Sequence, residues 1–444
     1  MRHAIVVGTC LDLELLRGRR YGVTILNSTN ELIGEIRRLL SQVRSTPHLN
    51  PAERKDEGRF DDGSRNVTSG NVGMDVDLDD DLLFAVMHLA KATGTKNMSM
   101  PSGPHQFHSE RSKHLFRPPV FLRRLQYLHL WGLSDTPSPS SEASLHLSKL
   151  ELLVNLKGGL QRVKAPGFAE ALHLFDILES ARRLEKPRFE LPKSSIEFLE
   201  EKMPTLREAA ALKTQQTRLG VEINRHLPVK SPLCEIFGDI QIFCSWISSL
   251  ATMGSVGHVQ DGNRDSSSST QMVSAEDVIV LRNLVEYRLL AYCPGVSNSV
   301  ESVMWTSAMI FVHGVIFPLP HPAAAPLKIL IRRLRKALSN HLASRRSELR
   351  SFDSLPCGER DSGTRILIWA ATMGTMATSD SPDEAHERAF FLDSLRSFVG
   401  GSASNISSWT QLKSVLEAYL WADWACDAGG LAVWEMLSVK IAIS

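Results

Sequence analysis

The chain is poor in the features that usually tie a sequence to a chemistry. Its six cysteines (Cys10, Cys234, Cys244, Cys293, Cys357 and Cys426) include no C-x-x-C pair. Thiols scattered through apolar periodic segments exclude a disulfide framework and fit a reducing, intracellular setting. A binuclear zinc cluster needs six thiolates in one short segment, in two C-x-x-C halves. Here the closest pair, Cys234 and Cys244, is ten residues apart, so no such cluster is expected. An excess of one charge is missing as well. Lys and Arg number 50 against 49 Asp and Glu, without the basic surplus of a dedicated nucleic-acid module. Long apolar runs are absent too. Val303 to Phe317 and Ile366 to Ala377 fall short of the ~20 residues that span a bilayer, so no membrane partner is expected. The apolar N-terminal run is interrupted by Asp12 and Glu14 with no small-residue cleavage site after it, which excludes a convincing signal peptide.

Catalytic signatures are lacking in the same way. The sequence contains no G-x-S-x-G, H-E-x-x-H, Walker loop or G-x-G-x-x-G, and no catalytic, cofactor-binding or metal-binding residue is assigned. Four clusters invite a functional reading. Asp75, Asp77, Asp79, Asp80 and Asp81 alternate like a Ca²⁺ loop but lack the Gly and distal Glu of an EF-hand. They read as acids at a helix start, favoured by the macrodipole. His105, His108 and His114 fall in a Pro/Gly/Ser loop and read as solvated. Gly158-Gly159 has no strand before it and no G-K-[ST] after it, so it reads as a helix C-cap. Asp383, Glu384, His386 and Glu387 share one turn and read as the acidic start of a helix. The chain is therefore not read as an enzyme.

What is present is helical periodicity. Hydrophobic content of 43% and charged content of 22% are ordinary globular values. Helices are expected from Asn30 through Val43 and over Phe121–Trp131, Leu145–Leu156, Phe168–Leu184, Met203–Leu227, Pro232–Leu250, Val278–Tyr292, Val300–Phe317 and Leu327–Arg350. Ser274 with Asp277 caps one of them. The segment Met253 to Ser274, with four consecutive serines, is the strongest linker and reads as a long surface loop within one domain, the alternative being a boundary between two domains. The fold class expected is all-α: an irregular array of about a dozen or more antiparallel helices joined by long loops, without substantial sheet. One helix stands out electrostatically. Lys328, Arg332, Arg333, Arg335, Lys336, Arg345, Arg346 and Arg350 face a single acid, Glu348, opposite a stripe of leucines. The basic patch Lys328, Arg332, Arg333, Arg335 and Lys336 reads either as a nuclear-import or phosphate-binding face, or as the solvated side of an amphipathic helix.

The C-terminal stretch is the most informative. Arg365 to Thr378 is apolar or small on every side and reads as a fully buried helix. Ser381-Pro382-Asp383-Glu384 restarts the chain with Ser as N-cap, and Phe391, Leu392, Leu395, Phe398 and Val399 follow before Gly400-Gly401 supplies a left-handed stop. Ser408 with Gln411 opens a helix carrying Trp409, Leu412, Val415, Leu416, Tyr419 and Leu420. Asp427 opens another, carrying Leu431, Trp434 and Leu437. Five of the eight Trp lie here, an aromatic core. The mixture of Trp421, Asp423, Trp424, Asp427, Trp434 and Glu435 also suits an activation segment, but its helical spacing favours packing.

This order of elements, with Trp409-x-x-Leu412, Tyr419-Leu420-Trp421, Gly430 and Val433-Trp434, resembles the end of the fungal-specific transcription factor domain, the helical regulatory region of fungal zinc-cluster transcription factors. His146 through Val154, Gly158-Gly159-Leu160, a helix carrying Asp176, and Pro187-Arg188-Phe189 are similar to the middle of the same family. The resemblance implies one regulatory domain over 30–441 (N-half 30–251, Ser/Gly-rich loop 252–274, C-half 275–441), with 1–29 unassigned. It implies regulation of transcription in the nucleus, through other transcription-regulatory proteins, a small-molecule effector or a homodimer, and no catalytic cofactor. The missing zinc cluster removes the family's usual route to DNA. Either the cluster is lost or it lies upstream of Met1 in an incomplete gene product. The alternative is a helical scaffold or effector-binding protein with no direct DNA role.

Overall fold

In the computed structural model, the residues described are 34, 80, 83, 86–87, 114–119, 122, 141–165, 167–214, 227, 231–255, 274–292, 294, 300–318, 325–349, 357–379, 381–400 and 406–441. They contain eleven helices of eight residues or more and no strand. The all-α expectation holds. No described helix is long and apolar enough to cross a membrane. The expected helices after Asn30 and over Phe121–Trp131, together with His105 and His108, lie largely outside the described residues.

The described residues form two compact units. The first takes those up to 107 and those of 131–173 and 188–192. Its main helix α1 (Ser141–Leu156) buries Leu147, Leu150 and Val154. α1 stops where the sequence predicts, because Gly158 and Gly159 adopt φ of 91° and 96°, a region costly for any residue with a Cβ. The Gly159 N–H donates back to the Val154 carbonyl at 2.9 Å, closing the last turn. Asp80, from the acidic run, secures the segment beyond that turn. Its carboxylate accepts the Lys164 and Ala165 N–H groups at 2.8 and 2.7 Å and meets the Lys157 Nζ at 2.7 Å. Burial raises the Asp80 pKa, but these hydrogen bonds outweigh it and leave the carboxyl below its usual value. Helix α2 (Phe168–Arg183) begins in this unit.

The second unit takes the described residues of 108–130, 174–187 and 193 onward. A helical turn (Lys193–Glu197) and a π-turn (Phe198–Lys202) run into α3 (Met203–Thr214); residues 215–226, expected to continue it, lie outside the described part. Then come α4 (Pro232–Ser255), α5 (Ala275–Ala291), α6 (Val300–Phe311), α7 (Ala325–Leu349), α8 (Cys357–Ala377), α9 (Ala385–Val399), α10 (Trp409–Leu416) and α11 (Asp423–Ile441). α5 carries the predicted capping box: Ser274 Oγ accepts from the Asp277 N–H, and the Asp277 side chain accepts from the Ser274 N–H. α6 does not continue to Phe317 as expected. It loosens into a π-turn over Val312–Ile316, where Gly314 leaves room for the Phe116 ring in the space a Cβ would occupy.

α8 is the axis of this unit. It packs against α6, α7, α9, α10 and α11. Such a position requires a surface that is apolar or small all round, and Ile366 through Ser379 are all buried. Gly374 permits the closest approach: a Cβ there would lie 2.6 Å from the Phe391 ring of α9. Three hydroxyls in this interior are satisfied within the helix. Thr372, Thr375 and Thr378 donate to the carbonyls of Ile368, Ala371 and Thr375 at 2.8, 2.9 and 2.7 Å, so burying them costs little.

Several boundaries differ from the sequence reading. α8 begins at Cys357, before Arg365. Ser381 makes no side-chain cap; Glu384 folds back to accept the Ser379 N–H at 2.6 Å, and a 3₁₀ turn (Pro382–Glu384) precedes α9. Gly400 has φ of −79° and closes α9 through its N–H to the Arg396 carbonyl, with no left-handed turn at that residue; Gly401 lies outside the described residues. α10 ends at Leu416, leaving Tyr419 and Leu420 in the turn beyond, and α11 starts at Asp423 instead of Asp427. The face that packs also differs in part from the expected stripe. Ala428, Leu431 and Glu435 face outward, with Leu431 41% exposed, while Val433 and Leu437 take the interior.

Candidate functional site

The basic helix predicted from sequence is α7. Leu327, Leu330, Ile331, Leu334, Ala337 and Leu338 are buried, and the helix packs on α6, α8 and α9. Burial of that stripe places Lys328, Arg332 and Lys336, spaced four residues apart, on the open side together with Arg333, all exposed. Arg335 does not join them. Its Nη1 donates to Glu387 Oε2 at 2.7 Å and to His386 Nδ1 at 2.7 Å, and its guanidinium lies 5.1 Å from the Phe390 ring centroid. The patch named from sequence therefore divides into four exposed cations and one half-buried structural arginine. The side chains of Arg345, Arg346 and Arg350 lie outside the described residues.

The acidic turn at 383–387 and the basic helix read as separate features in the sequence. They meet in the fold. Lys328, Ile331 and Arg332 of α7 and Asp383, Glu384 and Glu387 line a shallow cleft of about 330 Å³. Glu384 is nearly buried and sits 3.7 Å from the Lys328 Nζ. The cleft thus has a cationic wall, an anionic wall and an apolar floor at Ile331. Arg332, Arg333 and Lys336 form no ion pair among the described residues.

Two charge clusters built on buried residues escape the sequence reading. Asp239 of α4 is fully buried and accepts Arg207 Nε at 2.9 Å and Arg207 Nη2 at 3.0 Å. It also accepts from Arg288 of α5, which donates in turn to Glu235 at 2.8 Å. Burial raises the Asp239 carboxyl above its usual value, and the two guanidiniums only partly offset this. The second cluster joins α5 to the π-turn. Arg282, Glu286 and His313 are 1%, 0% and 4% exposed. His313 Nε2 lies 2.9 Å from Glu286 Oε1, Arg282 Nε donates to the Ile316 carbonyl at 3.1 Å, and its guanidinium sits 4.3 Å from the Phe317 ring centroid. Burial pulls Arg282 down to about 9, against which the Glu286 charge acts in the other direction. Asp239 ties α4 to α3 and α5, and the Arg282, Glu286 and His313 set ties α5 to the π-turn. A signal existed for each: one charge at a core position of an apolar run, as in IFGDIQIF or MIFVHGVIF, must be paired when it is buried.

The aromatic residues converge behind α8. Trp369 stacks on Tyr419 with centroids 5.4 Å apart, meets Phe237 edge-on at 6.0 Å and donates to the Leu420 carbonyl at 3.0 Å. Gly430 admits Trp409 and Trp421, whose rings lie 2.5 and 2.7 Å from where its Cβ would stand. Trp421 donates to Asp427 Oδ1 at 2.8 Å, and Lys413 bridges Asp423 and Asp427. Tyr419 and Trp421 are buried, but from the turn between α10 and α11 and not from the helical stripe the spacing suggested. Of the cysteines, Cys244 and Cys426 are buried. Burial pushes the Cys426 thiol up to about 12 and the Cys244 thiol further, which makes both unreactive. Among the described residues no three metal-ligating side chains gather.

Compared with models of protein families, with curated proteins and with solved structures, the chain matches none.

Proposed function

We propose that the chain is a transcription regulator: the regulatory and interaction domain of a fungal zinc-cluster type of factor, working by binding and allostery and not by catalysis. The observation that supports this reading most is where the residues of the resemblance lie. Trp409, Trp421 and Gly430 make one close contact, Tyr419 stacks beneath α8, and the Gly158-Gly159 pair terminates α1. Residues far apart in a degenerate pattern thus have specific packing duties, as a domain-defining motif would require. In this reading the chain acts in the nucleus through other transcription-regulatory proteins, with a small-molecule effector or a second copy shifting it between states of different partner affinity. DNA is reached through a partner or through a module joined to this chain, since no zinc cluster lies within it.

A tethering assay tests this. Fused to a heterologous DNA-binding domain in a fungal host, the chain is expected to change expression of a promoter bearing that domain's sites by at least about threefold. A fusion that is stably expressed and bound, yet leaves the reporter unchanged, would favour a helical scaffold without a transcriptional role.

A further inference from the structure

The exposed face of α7 carries a feature that neither the packing nor the proposed regulatory role uses. Arg332, Arg333 and Lys336 stand in solvent without ion pairs among the described residues, and Lys328 extends their row by one turn. Ile329, three and four residues before Arg332 and Arg333, is 38% exposed in their midst. Ile329 gives the row of cations one apolar point of contact. We propose that this face docks an acidic peptide segment of a partner protein that also carries apolar side chains, with the carboxylates on Arg332, Arg333 and Lys336 and an apolar residue on Ile329.

Charge complementarity argues for an anionic occupant, and three features favour peptide over nucleic acid. Ile329 offers apolar contact that a sugar-phosphate backbone does not use. Asp383, Glu384 and Glu387 line the cleft beside Lys328 and Arg332, so a continuous row of phosphates meets repulsion at that edge. The chain as a whole carries +1, too little for the long-range attraction on which non-specific nucleic-acid binding depends. A peptide with spaced acids can avoid the anionic edge. The inference does not depend on a role in transcription.

The test uses the full chain and two fluorescent probes at 0.1 M salt: a 20-residue peptide of interspersed Asp, Glu, Leu and Phe, and a 20-base-pair DNA duplex. The peptide is expected to bind, the Arg332→Glu/Arg333→Glu/Lys336→Glu variant to bind it at least tenfold more weakly, and Ile329→Ser several-fold more weakly. Helical circular dichroism identical to the parent keeps those losses attributable to the surface. An Arg345→Glu/Arg346→Glu variant, in the last turns of the same helix, should bind within about twofold of the parent. Tighter binding of the duplex than of the peptide overturns the proposal in favour of a phosphate-binding face. Absent peptide binding, or peptide affinity unchanged by the triple reversal, overturns it outright.

Discussion

The second unit arranges charge in two opposite ways. On α5 and the π-turn after α6, Arg282, Glu286 and His313 are withdrawn from water: His313 Nε2 meets Glu286, and Arg282 reaches a carbonyl and an aromatic face. On α7, Arg332, Arg333 and Lys336 are exposed and form no ion pair among the described residues. The first arrangement is costly to disturb because a lone buried charge has nothing to replace its partner. The second is almost indifferent to change as far as folding goes, since water solvates each ion alone. Stability therefore resides in the one, and recognition is free to evolve on the other.

The largest effect should come from breaking the buried set. Glu286→Leu takes a buried carboxylate from beside His313 and Arg282 and should cost about 3–5 kcal/mol in urea unfolding. The double variant Arg282→Met/Glu286→Leu should recover most of that loss, because an apolar pair replaces the ions. A double variant as unstable as the single would mean that packing, and not charge, dominates there.

A pH titration sharpens the contrast in the first unit. His173 is buried, and desolvation lowers its pKa to about 4 from 6.5. Above pH 6.5 the imidazole is neutral in both folded and unfolded chains, and it contributes no pH dependence. Between 6.5 and 4 the unfolded chain takes up a proton that the folded one refuses, so stability falls as pH falls, by up to about 3 kcal/mol. His173→Leu should flatten this part of the profile.

Smaller effects are expected at the aromatic core and on the surface. Trp369→Phe removes the hydrogen bond to the Leu420 carbonyl and should cost about 1–2 kcal/mol, read from the urea midpoint. Reversing Arg332 or Arg333 to Glu should change stability by no more than about 0.5 kcal/mol each. A larger loss would show that the exposed row contributes to folding after all.

The fold was legible from periodicity where one face decided it. α8 announced itself by Ala370, Ala371, Gly374 and Ala377 among large apolar residues, and Ser274 with Asp277 named the start of α5. Boundaries were less legible because they depend on partners distant in the chain. The start of α11 depends on the turn at Trp421-Ala422, and the acidic turn at 383–384 on Ser379. The π-turn at Val312–Ile316 has no periodic signature; it accommodates Phe116, almost two hundred residues earlier. The basic row of the candidate site could be read directly, but the division of Arg335 from its neighbours could not. It requires knowing that α9 lies beside α7 and brings Glu387, His386 and Phe390 to that one guanidinium.

Regulation of transcription through partners is the function we propose for this chain. Chromatin immunoprecipitation of the epitope-tagged chain from its native cells tests it most directly. The account predicts enrichment at a discrete set of promoters. A tagged chain that is stable and abundant but shows no promoter enrichment and stays outside the nucleus would contradict it.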